Sequence, residues 1–212
     1  MKTKNTHKVS MIGFAKDLPN ICSLAGLLCT MFAIYFAIEG NFIASIISVL
    51  WAVLFDWFDG IIARKIKGRT KEQGVFGGQL DSMIDIVSFG VFPAIFLLSY
   101  GNYNVWFMPG AFIIVAACAI RLSYFNIYGL MDSKTYMGLS VDNNGIILAF
   151  AFLFEGFFSH LTFTIILYIL LMSLAALNLS SISTPKLAGR WVYVLTAYVL
   201  VLTAIFSWKL WC

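Results

Sequence analysis

Apolar residues fill this chain in long blocks, separated by short connections that are polar, glycine-bearing or basic. Seven blocks stand out, near Ile21–Ile38, Phe42–Ile62, Phe76–Tyr100, Val105–Tyr128, Leu139–Phe157, Leu161–Asn178 and Trp191–Trp211. A membrane-crossing helix needs about 20 mainly apolar residues at roughly 1.5 Å of rise each, so each block has about the length of a span. The fifth is the weakest, because its clean apolar run starts only at Gly145. The pattern predicts an all-α integral membrane protein, a polytopic helical bundle of six to seven transmembrane helices over residues 20–211, forming with residues 1–19 a single membrane domain across 1–212.

Residues 1–19 differ from the rest. They are basic and weakly amphipathic, with no cleavage-site pattern, and so predict a short cytosolic or interfacial helix rather than a removable signal peptide. In that helix Met11, Ile12 and Phe14 would enter lipid while Lys8 and Lys16 lie beside anionic headgroups. Composition agrees with a membrane protein: 61% of the 212 residues are hydrophobic and 11% charged, and the mean hydropathy is +0.90. No tract suggests a nucleic-acid partner, and internal repeats and low-complexity segments are absent.

The net charge of +4 sits in alternate connections. Lys2, Lys4, Lys8 and Lys16 precede the first block; Arg64, Lys65, Lys67, Arg69 and Lys71 follow the second; Arg121 and Lys134 flank the fourth connection; Lys186 and Arg190 precede the last block. The connections "EGN", "GNYN" and "EGFFSH" carry no lysine or arginine. Basic loops stay cytosolic, so seven spans predict a multi-pass protein of the cytoplasmic (inner) membrane with a cytosolic N-terminus, an external C-terminus and only Lys209 misplaced; six would break the alternation. Cys22, Cys29, Cys118 and Cys212 lack metal-ligand spacing and read as packing residues, and His7 and His160 read as solvated.

Against this apolar background, "LFDWFDGIIARKIKGRTKEQGVFGGQLDSMIDIVSFG" places Asp56, Asp59, Asp81 and Asp85 within or at the edge of two spans. An acid at the centre of a span costs roughly 2.5–3.5 kcal/mol, so four of them call for a reason. On helices Asp56 and Asp59 share one face with Gly60 and Ala63, and Asp81 and Asp85 share another beside Gly77, Gly78 and Ser82. Small residues let helices approach closely, which would bring both pairs to a common ion in a shallow pocket at the cytosolic surface. Convergent carboxylates suit Mg²⁺ or Mn²⁺. The bland alternative is an ion-pair network with Arg64, Lys65 or Arg121; an ion-coupled transporter is the alternative from another class, disfavoured because the four acids lie near one membrane face, no acid or base but Glu155 lies mid-span elsewhere, and no internal repeat is present.

The run Asp56-x2-Asp59-Gly60-x2-Ala63-Arg64, then Gly77-x3-Asp81-x3-Asp85, resembles the signature of the CDP-alcohol phosphotransferase (CDP-alcohol phosphatidyltransferase) family of membrane enzymes. It departs in one respect: twelve residues, "KIKGRTKEQGVF", separate Arg64 from Gly77 where the family usually has eight. The resemblance implies displacement of CMP from a CDP-linked donor, usually CDP-diacylglycerol, by the hydroxyl of an acceptor alcohol. It further implies that Asp56, Asp59 and Asp81 ligate metal, that Asp85 is the general base or a shared ligand, that Gly60, Ala63 and Gly77 make room for the nucleotide, that Arg64 contacts the donor's phosphates, and that the protein is a homodimer.

"LPNICSLAGLLC", "LDSMIDIVSFGVFPA" and "IRLSYFNI" extend the resemblance to the bacterial phosphatidylserine synthase branch, which makes serine the expected acceptor, with Arg121 and Asn126 as acceptor residues. A serine carboxylate fits a guanidinium bidentately; an acid of the cluster or a lipid phosphate are other partners for Arg121. At "YMGLSVDNNG" the chain departs from the branch's Gly-Leu-Pro or Gly-Met-Pro and adds Asp142, Asn143 and Asn144, leaving glycerol 3-phosphate, inositol or inositol phosphate, and choline as alternatives. The phosphorylated acceptors would need more basic residues than Arg121 and Lys134 supply.

Overall fold

In the computed structural model, residues 10–129, 135–185, 189 and 191–211 are described. His7, Cys212 and several basic residues used for orientation (Lys2, Lys4, Lys8, Lys134, Lys186 and Arg190) lie outside the described residues.

Helix α1 (Met11–Ala15) is capped by the Ser10 side chain, which accepts from the Gly13 N–H. Met11 and Ile12 are exposed, as an interfacial helix requires. Phe14 departs from the lipid contact expected of it and stacks on Phe76 at 5.1 Å between centroids. The cause lies in helix α2 (Leu18–Ile38): Pro19 opens it where a missing N–H costs nothing, and the buried Asn20 amide donates to the Phe14 carbonyl at 2.8 Å, folding α1 back over the next elements.

Helix α3 (Phe42–Lys65) carries the first acid pair. The third apolar block becomes a continuous run of 30 residues, Lys71–Tyr100, made of α4 (Lys71–Ile86), a π-helical turn at Val87–Val91 and α5 (Phe92–Tyr100). It begins five residues before the expected Phe76 because Thr70 and Gln73 form a capping box, each side chain bonding the other's backbone N–H at 3.2 and 2.8 Å. The extra residues of the Arg64–Gly77 spacing are thus taken up in a polar first turn of helix. The π turn lets the Phe92 N–H reach the Val87 carbonyl just before Pro93, which has no N–H to give.

Helix α6 (Met108–Tyr128), helix α7 (Asp142–Phe152), helix α8 (His160–Asn178) and helix α9 (Trp191–Trp211) complete the bundle. Two three-residue strands, β1 (Thr135–Met137) and β2 (Ser183–Pro185), pair antiparallel with Tyr136 opposite Thr184; nothing in the hydrophobic pattern announced them. Among the described residues six helices are long and apolar enough to cross a membrane, making this a multi-pass membrane protein.

The expected fifth span, Leu139–Phe157, is not one of them: α7 has 11 residues, or about 16 Å at 1.5 Å per residue. The chain nonetheless traverses the bundle here. At one end the Leu139 N–H bonds the Leu177 carbonyl near the close of α8; at the other Glu155 accepts from the Tyr100 hydroxyl and His160 stacks on the same ring at 4.6 Å. One face of this segment packs on protein, since a Cβ on Gly145 would come within 2.9 Å of Val53 and 3.6 Å of Phe89, while Phe150, Phe154 and Phe157 are exposed on the other. Backbone that is not helical is tolerated at such depth when buried in protein. The segment thus runs from beside the close of α8 to beside its start and the end of α5, with a shorter helix than the apolar count implied.

The core centres on α3, where Val49, Leu50 and Val53 meet Phe89, Phe92 and Phe96 of the third run. Asn144 and Asn178, both buried, bond each other at 3.0 and 3.3 Å, and Asn178 also holds the Leu139 carbonyl. This clasp fixes the start of α7 against the end of α8. Asn144→Leu should destabilise the protein by about 1–2 kcal/mol, since it strips Asn178 of a donor and an acceptor in an apolar setting; thermal unfolding in detergent measures it.

Candidate active site

Helix α3 supplies Asp56, Asp59, Gly60 and Arg64, and α4 supplies Asp81, Ser82 and Asp85, to one cavity of about 260 Å³. The opposite wall comes from Arg121, Leu122 and Phe125 of α6, Tyr136 of β1, Ser140 to Asn143 at the start of α7, and Thr184 and Pro185 of β2. One carboxylate oxygen each from Asp56, Asp81 and Asp85 lies within 4.8 Å of the others. Helical spacings of three and four put each pair on one face, and α2, packed against both α3 and α4, holds those two helices around the one cavity.

Asp59 lines the same cavity but stands apart from that trio, because its Oδ2 accepts a short hydrogen bond from Ser23 of α2. This bond links Asp59 to α2. Among the described residues the ion pair found is Arg69 with Asp17, at 2.7 Å; neither Arg64, Lys65 nor Arg121 neutralises the three acids by direct contact. Asp85 Oδ1 is buried without a hydrogen-bond partner. Three converging carboxylates repel one another without a positive charge among them, and an all-oxygen donor set with an unsatisfied buried oxygen fits a hard divalent cation.

Gly60 lies beneath the Arg64 guanidinium: a Cβ there would be 3.5 Å from Nη1, so the arginine lies along its own helix beside the acids. Gly77 opens space for protein groups. A Cβ would be 3.0 Å from both Asn20 Oδ1 and Arg69 Nη2, and Arg69 in turn donates through Nε to Asp17 at 2.7 Å and through Nη2 to the Gln73 carbonyl. Ala63 is half-buried, and neither it nor Gly77 is in the cavity wall. Asn126 is exposed and accepts from the Ser82 hydroxyl at 3.0 Å, joining α4 to α6 outside the cavity wall.

Arg121 is 6% exposed. Its guanidinium lies 5.2 Å from the Phe125 ring and 5.4 Å from the Tyr136 ring, and its Nε and Nη2 are buried with no hydrogen-bond partner. Burial, with the nearby Asp142 carboxylate adding to it and Arg121 opposing, raises the Tyr136 phenol above its usual range, which keeps it a neutral donor. Trp57 donates through Nε1 to Asp142 Oδ2 at 2.7 Å. Trp57 and Tyr136 were missed in the sequence because an indole inside an apolar span and a phenol in a connection carry no spacing signal. In the sequence Asp142 is only a polar departure from a motif.

A sequence profile described as CDP-alcohol phosphatidyltransferase matches residues 16–210. The chain belongs to this family. Its CDP-alcohol phosphatidyltransferase relatives include the archaetidylserine synthase of Methanothermobacter thermautotrophicus, 34% identical over 81% of this chain and 71% of that protein. The CDP-diacylglycerol–serine O-phosphatidyltransferase of Methanocaldococcus jannaschii is 32% identical over 68% of this chain and 65% of its own length. The protein of the same description from Bacillus subtilis is 28% identical over 64% of this chain and 76% of its own.

Proposed function

We propose that this chain transfers a phosphatidyl group from CDP-diacylglycerol to the hydroxyl of L-serine and releases CMP. The observation that carries the reading is the meeting, in one cavity, of three carboxylates within reach of a single cation and a buried guanidinium lacking any hydrogen bond at two of its nitrogens. The names of the three relatives given above support the same reading, since all three are named for serine transfer or serine lipid synthesis.

Asp56 and Asp81, with Asp85 adjoining and Asp59 behind them, would hold Mg²⁺ or Mn²⁺; when bound, the ion supplies positive charge to the donor's diphosphate as CMP departs. Arg64, in the cavity wall, adds a guanidinium charge for the same phosphates. The serine hydroxyl oxygen attacks the phosphorus that bears the lipid, its proton passes to the Asp85 carboxylate, and the bond to the CMP oxygen breaks. Arg121 offers its fork to the serine carboxylate.

Phosphorylated acceptors fit less well, because Arg64 and Arg121 are the basic side chains among the described residues of the cavity wall and the first is committed to the donor. Neutral inositol and cationic choline leave Arg121 without an anion. The transporter alternative loses its one outlying acid, since Glu155 sits at the far end of the bundle on Tyr100. Arg64, Lys65, Lys67, Arg69 and Lys71 cluster at the cavity end, which supports a cytosolic site in the cytoplasmic membrane. A homodimer belongs to the same reading, with cross-linking in membranes as its check.

Labelled CDP-diacylglycerol, Mn²⁺ and a panel of alcohols test the proposal. CMP release should require both metal and serine, fall to background with EDTA and return on adding Mn²⁺ or Mg²⁺. Release with glycerol 3-phosphate and none with serine would name a different reaction.

A further inference from the structure

We infer that Asp142 binds the ammonium group of the acceptor, opposite Arg121, so that the cavity reads both charges of a free amino acid. The inference rests on the serine-transfer reading above and adds the acceptor's second recognition point. Asp142 stands in the first turn of α7 and lines the same cavity as Arg121, but it is not one of the three carboxylates that converge on a cation position. It has no basic partner among the described residues. Trp57 holds its Oδ2 at 2.7 Å, and the Asn144–Asn178 clasp fixes the helix that carries it, so the carboxylate is oriented by its neighbours and not by a counter-charge.

Arg121 is the independent second observation. It is more than nine-tenths buried, packed on Phe125 and Tyr136, and has two nitrogens with nothing to bond. A buried guanidinium left unpaired is costly, yet it does not close on Asp142 to form an ion pair. Two opposite charges, each held by other groups and each lacking a partner across a shared cavity, leave a place for a small ligand carrying both charges. An α-amino acid does so on a single carbon, with its hydroxyl one carbon further toward the aspartate trio. Choline and ethanolamine would satisfy only Asp142, and glycerol 3-phosphate only Arg121.

The test compares kcat/KM for L-serine, 3-hydroxypropionate (serine without its amine) and ethanolamine (serine without its carboxylate), with CDP-diacylglycerol and Mn²⁺. The wild type should use 3-hydroxypropionate at least about 100-fold less well than serine, as sites built around a polar group reject ligands lacking it. Asp142→Asn should raise the serine KM by about 100-fold, leave the CDP-diacylglycerol KM within about twofold, and shrink the serine preference over 3-hydroxypropionate to less than about tenfold. A wild type that uses serine and 3-hydroxypropionate equally overturns the inference while leaving serine transfer intact, and so does an unchanged serine KM in the variant. If the variant fails to fold, the wild-type comparison decides alone. A protein that transfers to glycerol 3-phosphate and not to serine overturns both readings.

Discussion

Asp85→Asn should cut CMP release by about a thousandfold while CDP-diacylglycerol still binds within about twofold of normal, because a positioned general base contributes roughly 10²–10⁴-fold. The amide keeps the size and planarity of the carboxylate, so α4 and the π turn that follows it retain their packing. What is lost is the ability to accept the proton of the attacking hydroxyl. Asp85 is the suited acid of the trio: it lies one helical turn deeper than Asp81, and its Oδ1 is buried with no donor to occupy it. Asp59 is unsuited, since Ser23 already donates to it. Measuring Mn²⁺ affinity beside the rate separates two roles. A rate loss with Mn²⁺ binding retained marks the base, a parallel loss of both marks a ligand, and a near-normal rate removes Asp85 from the chemistry.

The acids were legible because each pair lies within a single helix, where spacing fixes the face. Asp56 and Asp81 converge as that spacing implied. What spacing could not convey was the competition for each group from a third helix. Asp59 shares a face with Asp56, yet Ser23 of α2 engages it; Gly77 belongs to the signature, yet its missing side chain admits Asn20 and Arg69; Asn126 follows Arg121 by little more than a turn, yet bonds Ser82. The six spans found fall within the expected six to seven, and the fifth block forms a shorter helix than its apolar length implied. Apolar length measures a need for burial, and α7 meets part of that need on the face where Gly145 lies against Val53 and Phe89. Strands as short as β1 and β2 have too few positions to show a period, although their pairing is what brings Tyr136 and Thr184 over the cavity.

Arg121→Gln should raise the serine KM by about 100-fold or more and leave the CDP-diacylglycerol KM nearly unchanged. Losing one member of a buried, hydrogen-bonded charge pair costs about 2–5 kcal/mol, and each 1.4 kcal/mol is roughly tenfold in affinity. Arg121→Lys should recover little of this, because an ammonium offers no planar fork and stacks poorly between Phe125 and Tyr136. Ethanolamine separates recognition from architecture: it has no carboxylate for Arg121, so its already low kcat/KM should move by less than about threefold in the same variants if Arg121 acts on the acceptor's anion alone. Thermal stability in detergent should fall only by the stacking lost with the guanidinium, about 0.5–2 kcal/mol. A rise in the donor KM instead would move Arg121 from the acceptor to the diphosphate. The cavity would then hold two arginines on one ligand and no cation for an acceptor's carboxylate, a charge arrangement that favours an acceptor without one.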